Sequence, residues 1–225
     1  ATAIFTGTGG METFFPVNKL FVTGNPVREN IITATHTRQA AHHFFGLNPN
    51  KKTILIVGGS LGANSINEVI YNNLDGFASL DIQLVWQTGK TNASKYANAA
   101  TKYSNVWVGA FIAEMDMAYA VADTVISRAG AMSVAEICVA GKPAVFVPYP
   151  FAAEDHQTAN ANYLVNNHAA LLVPDAQAAA TLFNTVTALA LDSAQQQTFI
   201  QNLQPLAIKN AAEVVAAKIL QYVRA

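Results

Sequence analysis

Short, largely apolar runs of strand length recur along the chain from residue 53 onward, separated by longer segments whose apolar positions fall at helical spacing. A nearly continuous apolar run marks a strand buried on both faces, and the wider spacing marks a helix with one face turned inward. Six strands are predicted this way: Thr53–Val57, Asp81–Thr88, Asn105–Val108, Asp123–Ser127, Pro143–Val147 and Ala170–Val173. Helices are expected between them over Ala63–Asn73, Asn92–Tyr103, Ile112–Ala120, Ser133–Val139 and His156–Asn166. Three more close the chain, over 176–191, 194–203 and Leu206–Val223. Before residue 53 the rhythm is broken by Gly7, Gly9, Gly10, Pro16, Gly24 and Pro26, which leave one strand at Lys19–Thr23 and one helix over Thr35–Phe45, stopped by Gly46. Strands alternating with helices spell βαβ units. The expected fold is α/β: a Rossmann-like parallel six-stranded sheet with helices on both faces and right-handed crossovers.

Composition narrows the class further. The 225 residues are 52% hydrophobic and only 12% charged, ample for a sizeable core. A net charge of −1 offers no general attraction to nucleic acid or anionic lipid, so no nucleic-acid partner is expected. Cys138 has no second cysteine to pair with, which suits a reducing compartment. The histidines show no metal-ligand spacing, so neither a metal nor a cofactor is expected. No run approaches the ~18 apolar residues of a membrane-spanning helix. The start of the chain has no basic segment of the kind that opens a signal peptide.

In an open parallel sheet, ligands bind beyond the carboxyl ends of the strands, so the loops there carry the candidate chemistry. After the first of the six strands comes Gly58-Gly59-Ser60-Leu61-Gly62, opening a helix. Glycines let backbone amides approach a ligand, and a helix N-terminus attracts an anion, so Gly59, Ser60 and Gly62 form a candidate phosphate cradle. A tight turn with no ligand is the competing reading. After the fourth comes Arg128-Ala129-Gly130-Ala131-Met132-Ser133, with Glu136 further on. Glu136 is either the capping-box partner of Ser133 or an acceptor for two ribose hydroxyls. After the fifth, a loop stiffened by Pro148 and Pro150 leads to Gln157 and Asn160, which share a helix face. Their amides suit sugar hydroxyls, or simply a solvated helix. Arg28, held on the Pro-containing loop Gly24–Arg28, is a candidate fork for a diphosphate. Diphosphate cradle, diol acceptor and hydroxyl readers on one sheet edge are the parts a nucleotide-sugar needs.

GNPVR at 24–28, ILIVGGSLGANSIN at 54–67, WQTGK at 86–90 and the stretch from Phe111 to Ala161, with SRAGAMSVAE at 127–136 and AAEDHQTANA at 152–161, resemble the C-terminal half of the MurG family of bacterial glycosyltransferases. They occur in family order and cover most of residues 20–175. The resemblance implies the donor-binding half of a two-domain GT-B enzyme, an inverting hexosyltransferase that moves N-acetylglucosamine from UDP-N-acetylglucosamine to the C4 hydroxyl of lipid I during peptidoglycan synthesis. It implies that Arg28 and Ser60 contact the donor phosphates, with Met132 and Ser133 nearby. It also implies that the backbone of Ile112 reads the uracil beside Phe111 and Met115, that Glu136 holds the ribose, and that Gln157 and Asn160 read the sugar. Arg128, Gly130 and Ala131 would line the same loop. Thr158 stands where the family often has Gln. Gly7-Thr8-Gly9-Gly10 is followed by Met11, where the family's own glycine-rich loop ends in His. Residues 1–23 are therefore expected to be the tail of an acceptor domain and linker, with their glycines incidental. Residues 24–225 would form the donor domain, and the general base would lie outside this chain. A full-length enzyme of this kind would work at the inner face of the plasma membrane, in peripheral contact with it. Two alternatives stay open at this point: a non-catalytic nucleotide-sugar module, and a UDP-N-acetylglucosamine 2-epimerase, which shares the GT-B fold.

Overall fold

Leu55 has Val85 and Val125 in register on either side, and Ile56 has Trp86 and Ile126. Successive side chains of a strand point to opposite faces, so these rows feed two separate cores, one on each side of a single sheet. In this computed structural model, which describes residues 1–12, 15–33 and 36–223, the strands are β1 (Ile4–Thr6), β2 (Leu20–Val22), β3 (Thr53–Val57), β4 (Gln83–Gln87), β5 (Val106–Gly109), β6 (Thr124–Ser127), β7 (Ala144–Phe146) and β8 (Leu171–Leu172). The helices are α1 (Glu29–Thr33), α2 (Arg38–Phe45), α3 (Asn64–Asn72), α4 (Leu74–Ser79), α5 (Ala93–Ala100), α6 (Met115–Val121), α7 (Ala131–Ala140), α8 (His156–Asn166), α9 (Ala178–Leu191), α10 (Ser193–Leu203) and α11 (Ala211–Val223).

The main sheet is wholly parallel, in the order β5-β4-β3-β6-β7-β8. Chain order runs outward in one direction from β3 and in the other from β6, so the crossover direction reverses between these two strands. On one face Leu55, Val85, Val125 and Phe146 pack against residues of α2, α6, α7 and α8. On the other, Ile54, Ile56, Leu84, Trp86 and Val145 pack against α3, α4, α9 and Phe199 of α10. Trp86 is fully buried and stacks at a tilt on Tyr96, ring centroids 5.0 Å apart. At about 25 cal/mol per Å² and ~150–250 Å² for a large aromatic, burying it contributes about 4–6 kcal/mol before entropy is counted. Its indole N–H donates to the buried Asn67 (2.9 Å), whose amide donates on to the Thr88 carbonyl (2.8 Å), so no polar group in this core is orphaned by the packing.

The six expected strands are all present, with ends differing by a residue or two. Thr35 lies outside the described residues; α2 begins after Thr37, whose hydroxyl accepts from the Ala40 amide, and ends on Gly46 in a left-handed conformation. Three regular elements depart from expectation, the first being α1 at Glu29–Thr33, just after the Pro26 loop. Gly76 disguises α4, yet a Cβ there would sit 2.7 Å from the Phe183 ring, and the missing side chain is what lets α9 dock. Ile4–Thr6 forms β1, parallel to β2, and a Cβ on Gly7 would collide with the Asn25 amide at 2.2 Å. A larger residue at Gly7 would have to displace that side chain. The last helix starts at Ala211, after a 3₁₀ turn at Gln204–Leu206. No helix among the described residues is long and apolar enough to cross a membrane.

Candidate functional site

A cleft of about 720 Å³ opens at the carboxyl ends of β3 and β6, where the crossover direction reverses. Residues Gly58 to Ser65 form one wall, Arg128, Gly130 and Ser133 the next, and Tyr149, Pro150, Phe151, Gln157 and Asp175 the remainder. Two helices start in it. α3 begins after Ala63 and α7 after Gly130, and neither receives a side-chain cap. The first amides of each helix have no partner within the helix, and with no capping side chain they are free to serve an anion in the cleft. Ser60 is exposed on the rim of the first loop.

Three glycines shape that loop for different reasons. A Cβ on Gly58 would lie 2.5 Å from the Ala63 amide nitrogen. Gly59 has φ +86° with open space around it. Gly62 has φ +83°, and a Cβ there would lie 2.1 Å from the Thr88 carbonyl oxygen. Across from it, Gly89 leaves the same gap for the Gly62 backbone. The loops after β3 and β4 therefore cross at glycine-on-glycine contact. Gln87 adds a tie, donating to the Gly59 carbonyl (3.1 Å) and accepting from the Ile112 amide (3.0 Å).

Of the sequence candidates, Gly59, Ser60, Gly62, Arg128, Gly130, Ser133 and Gln157 line the cleft together. Gln157 uses its carbonyl oxygen to accept from the Tyr149 amide (3.0 Å), and its NH₂ group can still donate. Arg128 lines the cleft as expected, with its guanidinium already engaged. It is little exposed, and its guanidinium donates to the carbonyls of Val147 and Pro148 (3.0 Å each), to Asp175 and to Ser65 (3.0 Å). Asn160 departs from the expected sugar-facing role: it is buried, with its amide donating to the Ala129 carbonyl at 3.0 Å, and so braces the loop from behind. Together with Ala131 it lines a smaller neighbouring cavity of about 180 Å³. Met115 is buried in the core, and of the Ile112 backbone the amide is committed to Gln87. Phe111 and Met132 are exposed, outside the lining of the cleft.

Glu136 and Arg28 meet each other. Arg28 Nε and Nη2 donate to the two carboxylate oxygens at 3.0 and 3.2 Å, and the Tyr119 hydroxyl donates to Oε2 at 3.3 Å. The capping-box reading of Glu136 fails because α7 begins at Ala131, which puts Ser133 inside the first turn and Glu136 beyond it. Burial first, and the neighbouring carboxylate second, push the Tyr119 phenol far above its ordinary range. Burial likewise raises the Cys138 thiol to about 12, which leaves it a packing residue and not a nucleophile. Ser65 and Asp175 were not anticipated. Asp175 lies in the loop just beyond β8, after Val173 and Pro174, so the same rule that singled out the other loops reaches it when applied to the last strand. Among the described residues, no three His, Cys, Asp or Glu side chains gather as a metal site.

The glycosyltransferase family 28 C-terminal domain matches residues 53–217. The chain is 44% identical over 226 residues to the UDP-N-acetylglucosamine--N-acetylmuramyl-(pentapeptide) pyrophosphoryl-undecaprenol N-acetylglucosamine transferase of Parabacteroides distasonis, covering 99% of this chain and 61% of the relative. It is 42% identical to the protein of the same name from Bacteroides thetaiotaomicron, covering 100% and 62%. The chain thus spans about three fifths of the length of these curated relatives. Among solved structures, MurG of Acinetobacter baumannii superposes with a TM-score of 0.76 at 28% identity, over 98% of this chain and 61% of that one. The UDP-GlcNAc 2-epimerase of Neisseria meningitidis bound to UDP-GlcNAc superposes at 0.63 and 16% identity, over 98% of this chain and 61% of that one, a likeness of fold alone. With the family match spanning all six strands of the main sheet and both helix starts in the cleft, the chain belongs to glycosyltransferase family 28, as its C-terminal domain.

Proposed function

We propose that this chain holds the donor of an N-acetylglucosaminyltransferase that moves N-acetylglucosamine from UDP-N-acetylglucosamine to the C4 hydroxyl of lipid I, at the cytoplasmic face of the bacterial membrane. The observation that carries the reading is the cleft between β3 and β6, into which two uncapped helix N-termini open beside Gln157. A departing UDP gathers negative charge. Oriented amides at the starts of α3 and α7 oppose that charge without having to reorganise. Asp175, the one carboxylate lining the cleft among the described residues, is paired with Arg128, which supports donor phosphates held by helix amides. The names carried by the relatives, all transferases acting on one lipid-linked acceptor, support the donor and acceptor assigned. The acceptor site and the general base belong to the remainder of such an enzyme.

Titration calorimetry tests the donor half directly. UDP-N-acetylglucosamine is expected to bind at submillimolar to millimolar concentration, unchanged by EDTA; no heat at millimolar ligand rules the reading out. Gln157→Ala separates sugar from nucleotide. It should weaken UDP-N-acetylglucosamine by about three- to tenfold, the worth of one neutral hydrogen bond. It should leave UDP unchanged.

A further inference from the structure

Arg128, Ser65 and Asp175 form a closed ring of hydrogen bonds. Arg128 Nη2 donates to Ser65 Oγ at 3.0 Å, Ser65 Oγ donates to Asp175 Oδ1 at 2.5 Å, and Arg128 Nη1 donates to the same oxygen. Each member comes from a different part of the fold. Ser65 is the second residue of α3, Arg128 follows β6, and Asp175 opens the 3₁₀ turn after β8, set there by Pro174 at φ −57°. Arg128 also reaches the Val147 and Pro148 carbonyls beyond β7, and its guanidinium lies 5.5 Å from the centre of the Tyr149 ring. All three ring members line the cleft, and both charged ones are largely buried in its wall.

We infer that Asp175 is a positioning residue: through Arg128 and Ser65 it fixes the first turn of α3 against the loops after β6 and β7, and so sets the spacing of the amides that receive a diphosphate. This rests on the donor-site reading above. Three properties argue for positioning over direct contact. The carboxylate cannot itself attract a phosphate. The guanidinium that could do so is already engaged by four oxygens. And Ser65 lies within the first turn of α3, so displacing its side chain tilts the amides beside it. A helix N-terminus is useful to an anion only when aimed at it, and a misplacement of about 1 Å is enough to cost much of the benefit.

The test compares ligands that do and do not carry phosphates, on the 225-residue chain. In Asp175→Ala, UDP should bind about tenfold more weakly, the scale of lost hydrogen bonds to a charged group. Uridine should bind as it does to the parent. Asp175→Asn keeps an acceptor oxygen for Arg128 and Ser65 and should restore most of the UDP affinity. Ser65→Ala removes only the α3 side of the ring and should repeat the selective loss, with a melting temperature near the parent's. Equal weakening of UDP and uridine, unchanged UDP affinity in both Asp175→Ala and Ser65→Ala, or tighter UDP binding once Arg128 is released would each overturn the inference. A parent chain that fails to bind UDP at all overturns the donor-site reading instead, which keeps the two failures apart.

Discussion

Removing the Glu136 carboxylate leaves two groups without their acceptor, and the two are unequal. Arg28 is nearly half exposed and returns to water at little cost. The Tyr119 hydroxyl is buried and has nowhere to turn. An orphaned buried donor costs about 1–3 kcal/mol, so Glu136→Ala is expected to lower the unfolding free energy by about 2 kcal/mol in urea titrations, and Glu136→Gln, which keeps an acceptor, by less than half of that. Lys142 poses the opposite problem. Its ammonium donates to the Ala122 carbonyl (3.0 Å), yet burial, with help from Arg38, lowers its pKa to about 8. Between pH 8 and its ordinary 10.5 the unfolded chain binds the extra proton, so this group makes stability rise with pH. Cys138, raised from 9 to about 12, works the other way above pH 9. The Lys142 effect therefore stands alone between pH 8 and 9. Stability should climb over that interval, and Lys142→Met should flatten the slope. A slope that survives the substitution assigns it to another group.

At the scale of elements, the glycine loop after β3 makes a sharper prediction than its sequence suggests. Gly59 and Gly62 have nearly the same positive φ, but only Gly62 lies against backbone. Gly59→Ala meets open space and should cost about 1–2 kcal/mol from conformation alone. Gly62→Ala must also move the Thr88 carbonyl, and should cost well over ~3 kcal/mol or abolish folding, as read by urea midpoints or soluble yield. If the two cost the same, the crossing of the β3 and β4 loops is softer than this geometry implies. The contrast marks what sequence alone makes visible. The central strands, buried on both faces, announce themselves as apolar runs, and the partly buried edge strands β5 and β8 follow from the alternation with helices, so all six were legible, and the glycine loops after them followed from the rule for parallel sheets. The side-chain roles were legible only where the partner is near. Arg128 and Asp175 are 47 residues apart, and Arg28 and Glu136 are 108 apart; no local period records such pairs. The capping-box reading of Glu136 failed for the complementary reason. A nearby Ser133 supplied a local explanation, and the helix had in fact begun two residues earlier.

The whole molecule is built around one reversal. Chain order departs from β3 toward β5 on one side and from β6 toward β8 on the other, and the cleft lies over the seam. A ligand in it touches α3 from the first half and α7 from the second, so it ties together parts that unfolding separates. Binding to the folded chain alone stabilises it by about 2.7 kcal/mol at a hundredfold excess over Kd. For a chain of this size each kcal/mol raises Tm by about 2–4 °C, so near-saturating UDP should raise it by roughly 5–10 °C. Uridine, which lacks the charge that the helix amides answer, should give a smaller rise at the same concentration. The increment from the diphosphate should shrink with added salt, since a cleft this open screens weakly held charge, and it should survive EDTA. A rise of equal size for UDP and uridine would move the binding energy from the helix starts to the base, and the seam would no longer account for where the ligand sits.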